Sequence, residues 1–179
     1  METHDLKSFI RDVPHFPKPG IIFKDIGPLL QNRFSETIEA MSHQIDWNSI
    51  NSVMGIESRG FIFASALAQR NKKGFIPIRK KGKLPPPVVQ EFYSLEYGQD
   101  CLELSNHSKD PSIITDRHKI LLVDDVLATG GTVNAAINLC EKAKMQVVGV
   151  MFLINLKSLN TMPSAFAAKG INFYSLIDY

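Results

Sequence analysis

Cysteine is scarce in this chain of 179 residues. The two cysteines, Cys101 and Cys140, lie far apart and form no Cys-x-x-Cys pair, which excludes a disulfide framework and a zinc knuckle built on neighbouring thiols. The five histidines follow no metal-ligand spacing. We therefore expect no metal to be held by protein ligands alone.

Long apolar runs and a strong charge of one sign are also lacking. No apolar stretch approaches the roughly 20 residues that a membrane helix requires, and the N-terminus is too polar for a signal peptide. The formal net charge is only +2, which argues against general electrostatic binding to nucleic acid. We expect a cytoplasmic protein with neither a membrane nor a nucleic acid as partner.

The pattern that remains is an alternation of strands and helices. The length suits one domain, residues 1–179, and the alternation predicts a doubly wound α/β fold with a mainly parallel sheet. A hairpin around Gly98 is expected to stand apart from the parallel core, and a helix is expected behind a cap at Ser35. Apolar spacing predicts helices over residues 60–70 and 131–143, and strands over residues 52–56, 74–78, 119–123, 147–153 and 173–176.

The most informative segment follows the predicted strand at residues 119–123. Asp124 and Asp125, termed the acidic pair, come at the carboxyl end of this strand, where open α/β sheets place their ligands. The glycine loop, Ala128 to Thr132, comes next and leads into a helix. Its small residues let backbone N–H groups approach an anion, and a helix N-terminus favours one. Because carboxylates accept hydrogen bonds from hydroxyl groups, the segment predicts a sugar phosphate ligand.

Two other interpretations compete with a sugar phosphate site. Asp-Asp and Gly-Gly pairs also form ordinary polar turns after strands. A nucleoside triphosphate P-loop requires Gly-Lys-Ser/Thr, and no lysine follows Gly131. The combination of strand, acidic pair, glycine loop and helix favours the sugar phosphate site over both.

Residues 123–132 resemble the phosphoribosyl pyrophosphate motif of the type I phosphoribosyltransferases. That family has a doubly wound α/β core, and the resemblance places a small N-terminal hood at residues 14–30 and a lid at residues 80–104. It implies that the acidic pair binds the ribose hydroxyl groups. It also implies that the 5′-phosphate is held by Ala128, Thr129, Gly130, Gly131 and Thr132.

A second loop, residues 55–61, again follows a predicted strand. The planar fork of donors on Arg59 can clamp a phosphate, and a solvent-exposed arginine after a turn is the alternative. The loop resembles the pyrophosphate-binding loop of the same family, in which the peptide bond before the serine is often cis. The resemblance assigns Glu57, Ser58 and Arg59 to pyrophosphate, and it assigns Arg59 to catalysis as well.

The basic segment, Arg79 to Lys83, carries four positive charges within five residues. Such runs are usually solvated. Cations at departing oxygens also stabilise a leaving pyrophosphate, so Arg79, Lys80 and Lys83 are candidates for that role. The polar, proline-containing residues 84–97 suit a mobile lid that excludes water.

Residues 79–85 and 93–98 closely resemble the corresponding segments of the adenine phosphoribosyltransferases. Glu96 is then the catalytic candidate, because a carboxylate can assist proton movement on the purine while the new ribosyl bond forms. An ordinary exposed strand glutamate is the alternative. Tyr97 is expected to cover the pyrophosphate or position the loop, and a packing role is equally open.

Residues 16–30 resemble the base-binding hood of the same family. Phe23 offers a flat face for a purine, and the backbone of Ile22 and Lys24 can read the edge of adenine. Without the resemblance, Phe23 would be interpreted as core. Two departures stand out, Gly27 in place of the usual Thr or Ser and residues 160–164 in place of a Gly-Arg segment. We expect neither to touch the glycine loop.

The resemblance implies a purine salvage enzyme that converts adenine and phosphoribosyl pyrophosphate to AMP and pyrophosphate. It also implies Mg²⁺ bound mainly through substrate, and a homodimer. Two rivals stay open, a phosphoribosyltransferase for another purine and a regulator that senses the donor without catalysis. Glu96, the basic segment and the lack of an appended DNA-binding domain argue against the regulator.

Overall fold

The computed structural model describes residues 3–95, 98–106 and 118–179. The chain forms two compact units, Met1–Gln44 and Ile45–Tyr179. The assignment of residues 1–179 to one domain therefore stays a prediction. Within the described residues, none of the helices has the length and apolar character needed to cross a membrane.

The N-terminal unit contains two helices and a two-stranded sheet. Its elements are α1 (Thr3–Lys7), β1 (Arg11–Pro14), β2 (Ile22–Asp25) and α2 (Gly27–His43). β1 and β2 pair antiparallel, with Val13 opposite Phe23. Helix α2 has Pro28 in its first turn, a position where a proline removes no helical hydrogen bond.

The predicted helix start at Ser35 is wrong. Helix α2 already begins at Gly27, and its backbone leaves helical geometry only at Arg33, where φ is −140°. Ser35 therefore lies inside the helix and caps nothing. The hood expected at residues 14–30 corresponds mainly to β2 and the first turn of α2. Strands of four residues are too short for apolar alternation to reveal them.

The second unit is built on one seven-stranded sheet. Its strands are β3 (Ser52–Ile56), β4 (Gly74–Lys80), β5 (Val88–Leu95), β6 (Gly98–Ser105), β7 (Lys119–Leu127), β8 (Gln146–Asn155) and β9 (Asn172–Asp178). Its helices are α3 (Gly60–Arg70), α4 (Gly131–Lys142) and α5 (Met162–Ala168), with short 3₁₀ helices at Trp47–Ser49 and Lys157–Leu159. The sequence patterns predicted α3 and β3 correctly but missed α5.

The order of the strands is β5-β6-β4-β3-β7-β8-β9, and the five strands from β4 to β9 in this order are parallel. From the centre of the sheet, α3 connects β3 to β4 in one direction and α4 connects β7 to β8 in the other. Right-handed crossovers in opposite directions place these helices on opposite faces, as in the predicted doubly wound fold. The loops after β3 and β7 consequently open side by side at the carboxyl edge of the sheet, where such folds bind ligands.

The hairpin of β5 and β6 belongs to the sheet, so the prediction that it stands apart from the parallel core is wrong. β6 pairs antiparallel with the end of β4, where Lys80 lies opposite Leu102. Leu102 and Leu104 are buried, and this burial favours the union of hairpin and sheet. Much of the lid predicted at residues 80–104 is therefore regular strand. The prolines at residues 85–87 hide the start of β5 from sequence patterns.

Candidate active site

The acidic pair lies near the end of β7, in the centre of the sheet. β7 pairs with β3 only as far as Val123 but continues beside β8 to Leu127, so both carboxylates are part of a strand. Asp125 is 5% exposed, and Asp124 is half-buried. A Cβ on Gly60, the first residue of α3, would lie only 2.9 Å from Oδ1 of Asp124. The absence of a side chain at Gly60 therefore lets α3 approach the acidic pair closely.

Arg59 supplies the positive charge beside these carboxylates. Its Nε lies 2.9 Å from Oδ2 of Asp125, so the loop after β3 contacts the acidic pair, a contact that neither motif predicted. Burial raises the pKa of both carboxyl groups, and the charge of Asp125 raises that of Asp124 further. Arg59 acts in the opposite direction on both. Hydroxyl groups that donate to the pair would stabilise its ionised form.

The glycine loop connects β7 to α4. Gly130 has a φ of +88° and stands at the N-cap of α4, a left-handed conformation that suits glycine. A cavity of about 90 Å³ opens at this helix N-terminus. It is lined by Asp124, Val126, Leu127, the five residues of the glycine loop, Val133 and Phe152. The loop thus combines a small cavity, close backbone groups and a helix end that attracts anions.

Met162 packs directly on the glycine loop, which corrects the expectation that residues 160–164 do not touch it. A Cβ on Gly130 would lie 2.5 Å from Cγ and Sδ of Met162. Asn134 in the first turn of α4 donates a hydrogen bond to the same sulfur at 3.7 Å. No signal in the sequence joins these residues, because they are about 30 positions apart and only the fold brings them together.

In the loop after β3, Glu57 and Arg59 contact different partners. Glu57 pairs with Arg79, whereas Arg59 pairs with Asp125. The peptide bond between Glu57 and Ser58 is cis, as the resemblance implied, and Ser58 is exposed. Glu57 faces β4, where its Oε2 lies 3.0 Å from Nε of Arg79 and accepts the backbone N–H of Lys80 at 2.7 Å. Burial opposes ionisation of Glu57, but these contacts lower its pKa overall. Glu57 therefore orients the start of the basic segment.

Lys80 has a carboxylate partner that the sequence did not reveal. Its ammonium group forms an ion pair with Asp100 on β6 and donates to the hydroxyl group of Tyr93 on β5 at 2.8 Å. Tyr93 in turn donates to Asp100 at 3.0 Å. Burial works to lower the pKa of Lys80, but the hydrogen bonds with Asp100 and Tyr93 raise it overall. Lys80 is thus held charged by the hairpin.

A buried glutamate supports the rest of the basic segment. Glu103 on β6 is 3% exposed and accepts the backbone N–H of Gly82 at 2.9 Å. Its other oxygen accepts a hydrogen bond from the side chain of Gln90 at 2.7 Å. Lys83 is exposed, and its backbone N–H closes the turn by donating to the carbonyl of Lys80 at 3.2 Å. The basic segment is therefore an ordered turn held by three carboxylates, from Glu57, Asp100 and Glu103.

The end of the hairpin lies beside the glycine loop. The carbonyl oxygen of Ser94 is 4.0 Å from the position that a Cβ on Gly131 would take. Glu91 at the middle of β5 forms an ion pair with Lys142 and accepts a hydrogen bond from Asn138, which fixes the strand to α4. The catalytic candidates Glu96 and Tyr97 lie outside the described residues.

The three adenine-binding candidates belong to the N-terminal unit. Phe23 on β2 makes an edge-to-face contact with Phe16 at 5.2 Å between ring centroids. Ile22 is 55% exposed, and Lys24 forms an ion pair with Asp12 at 2.7 Å. Stacking of Phe23 on a purine stays a prediction.

Comparison with known proteins gives a consistent result. The model of the phosphoribosyl transferase domain matches residues 24–174. An adenine phosphoribosyltransferase of Bdellovibrio bacteriovorus is 51% identical over 162 residues, which cover 88% of this chain and 92% of that protein.

Solved structures with the same fold cover nearly the whole chain. The adenine phosphoribosyltransferase of Thermoanaerobacter pseudethanolicus is 37% identical, with a TM-score of 0.87 and 99% of each chain covered. The enzyme of Saccharomyces cerevisiae, in complex with an imino-altritol bisphosphate and adenine, is 30% identical with a TM-score of 0.85 over 97% of each chain. The chain therefore belongs to the phosphoribosyltransferase family and, within it, to the adenine phosphoribosyltransferases.

Proposed function

We propose that this protein transfers the 5-phosphoribosyl group from phosphoribosyl pyrophosphate to adenine and releases AMP and pyrophosphate. The observation that carries the proposal is the meeting of Arg59, the acidic pair and the glycine loop at the centre of the carboxyl edge. This arrangement offers separate groups for a phosphate, a sugar and a leaving anion. The names of the relatives support adenine as the acceptor.

The part of the donor that stays in the product binds at β7 and α4. The acidic pair accepts hydrogen bonds from the ribose hydroxyl groups, and the 5′-phosphate enters the cavity of the glycine loop. As pyrophosphate departs, positive charge develops on the ribose. The ionised carboxylates then stabilise the transition state more than the ground state.

Pyrophosphate binds along the neighbouring loop and the basic segment. Ser58 and Arg59 contribute from the loop after β3, and Arg79, Lys80 and Lys83 contribute from the end of β4 and the turn after it. Glu57 faces Arg79 and Lys80, so its carboxylate acts by orienting these donors. The cations neutralise the leaving group as the bond to the ribose breaks.

Adenine binds to the N-terminal unit through Ile22, Phe23 and Lys24. Because the ammonium group of Lys24 pairs with Asp12, the backbone at Lys24 is the part that reads the base. Glu96 assists proton movement on the purine, and Tyr97 positions the loop. The yeast relative, which was solved with adenine, supports this choice of base.

The proposal includes Mg²⁺ as a cofactor that the donor would carry. Among the described residues, no three His, Cys, Asp or Glu side chains lie close enough to hold a metal ion. Mg²⁺ would be held chiefly by oxygens of the donor and by water, since this ion keeps several of its waters and binds substrate phosphates. When bound, the ion neutralises charge on the pyrophosphate oxygens.

The proposed assembly is a homodimer. Sedimentation equilibrium of the purified wild type tests it, because a homodimer should have twice the mass of one chain. A cytoplasmic location stays a prediction that cell fractionation can test.

The deciding experiment incubates purified protein with the donor, Mg²⁺ and each purine in turn. Chromatography should detect AMP from adenine, together with an equal amount of pyrophosphate. Nucleotide formed from hypoxanthine or guanine but not from adenine would reject the assignment of the base. Donor binding without any nucleotide product would instead favour a sensor of phosphoribosyl pyrophosphate.

A further inference from the structure

Met162 connects a C-terminal hydrogen-bond network to the glycine loop. Its side chain covers Gly130 so closely that even a Cβ there would lie 2.5 Å from Cγ and Sδ of Met162. Gly130 is the residue with left-handed backbone geometry at the start of α4. The side chain of Met162 therefore packs against the backbone of the glycine loop at Gly130.

A series of asparagines fixes the position of Met162. Asn160 accepts the backbone N–H of Met162 at 3.1 Å and donates to the carbonyl of Leu156 at 3.0 Å. It also donates to the side chain of Asn155, which is 2% exposed and donates in turn to Asp178 at 3.1 Å. Asn155 is the buried member of this network, whereas Asn160 is half-buried and Asp178 is exposed. The several hydrogen bonds of Asn160 hold the backbone of Met162 in one position.

A hydrogen bond from Leu156 also reaches the strand that leads into the glycine loop. The backbone N–H of Leu156 donates to the carbonyl of Leu127, the last residue of β7, at 2.9 Å. Asn134 donates to the sulfur of Met162 from the first turn of α4. The loop is consequently held where it leaves β7 and where it enters α4.

We infer that Met162 is a positioning residue for donor binding, which holds the glycine loop in the shape that receives the 5′-phosphate. It lies in the segment 160–164, which the fold brings against the glycine loop. The inference rests on the proposed function for the identity of the donor. It requires no contact between Met162 and the substrate.

Kinetics of Met162→Ala, Met162→Val and Met162→Leu test the inference. Truncation to Ala or Val should raise the KM for phosphoribosyl pyrophosphate by roughly five- to tenfold and leave the KM for adenine within about twofold, since loop geometry sets the fit of the phosphate. Leucine keeps the apolar volume and should stay within about twofold of the wild type. Because Val removes less volume than Ala, it provides a folded variant if Ala is insoluble.

Met145→Ala is the matched control. Met145 is 4% exposed and precedes β8 at the opposite end of the sheet, so its loss should lower Tm without raising the donor KM. An equal rise in donor KM for Met145→Ala, or an unchanged donor KM for Met162→Ala and Met162→Val, would show that Met162 only stabilises the fold.

Calorimetric titration with ribose 5-phosphate separates this inference from the proposed function. Met162→Ala should bind ribose 5-phosphate more weakly than the wild type by a similar factor, whichever base the enzyme accepts. A wild type that makes no AMP but shows this difference would reject the adenine reaction and retain the role of Met162. Equal affinities would overturn that role.

Discussion

Lys80 at the end of β4 forms an ion pair with Asp100 on β6. The hydroxyl group of Tyr93 bonds to both partners, so the hairpin and the basic segment share one polar cluster. Asp100 lowers the net charge of the surface that we propose for pyrophosphate. An arriving anion must therefore compete with a carboxylate that is already in place.

Asp100→Asn should bind pyrophosphate more tightly than the wild type. Removal of one negative charge next to Lys80 should lower the inhibition constant of pyrophosphate by roughly fivefold, in line with the effect of charge complementarity at a binding surface. Slower product release should reduce kcat. Glu36→Gln, which removes a charge paired with Arg33 on α2, is the control and should change neither quantity. Weaker pyrophosphate binding in Asp100→Asn would mean that Asp100 chiefly positions Lys80.

Asp124→Asn should stabilise the ligand-free protein while abolishing activity. Because burial raises the folded-state pKa of Asp124, the folded state holds its proton more tightly than the unfolded state. The stability that this provides is present at low pH and is lost as pH rises through the unfolded and then the folded pKa. We expect Tm of Asp124→Asn to exceed that of the wild type by roughly 2–5 °C at neutral pH, and the difference should shrink toward pH 4.

Asp125→Asn is the comparison for that measurement. This change also removes the ion pair with Arg59, so its gain in Tm should be smaller. Thermal scans of both variants between about pH 4 and pH 8 provide the test. A carboxyl group with a raised pKa loses its proton in roughly this range. A lower Tm for Asp124→Asn than for the wild type at neutral pH would contradict the raised pKa of Asp124.

Glu96→Ala should reduce turnover more than donor binding. A group that assists proton transfer in the transition state contributes about 10²-fold or more to kcat, so kcat should fall by that order while the donor KM changes little. Steady-state kinetics measure both. Glu36→Ala, which removes a half-buried glutamate of α2, is the control. Unchanged kcat in Glu96→Ala would remove its proposed catalytic role.

Glu103→Ala should destabilise the second unit. The change leaves the backbone N–H of Gly82 and the amide of Gln90 without their buried acceptor, which costs about 1–3 kcal/mol. Urea unfolding should show this loss, and Glu36→Ala should show almost none. If the turn at Gly82 also loses its shape, the KM for the donor will rise, whereas a purely local loss would leave it unchanged.

Local patterns predicted those parts of the site that are continuous in sequence. β3 with the loop at residues 57–59, and β7 with the acidic pair and the glycine loop, each carry strand, turn and helix signals within a short stretch. The parallel sheet then follows from their alternation with helices, and the carboxyl edge follows as the place where the loops meet. Neither inference needs a contact between distant residues.

The sequence by itself therefore determined the fold class, the family and the two loops that the proposed function uses. Only the tertiary structure decided that the hairpin joins the sheet, that Asp100 and Glu103 hold the basic segment, and that Met162 covers Gly130. The physical reason is the range of the interactions. Backbone preferences and apolar periodicity act between near neighbours in sequence. Ion pairs and packing contacts join residues that become neighbours only when the strands assemble into the sheet.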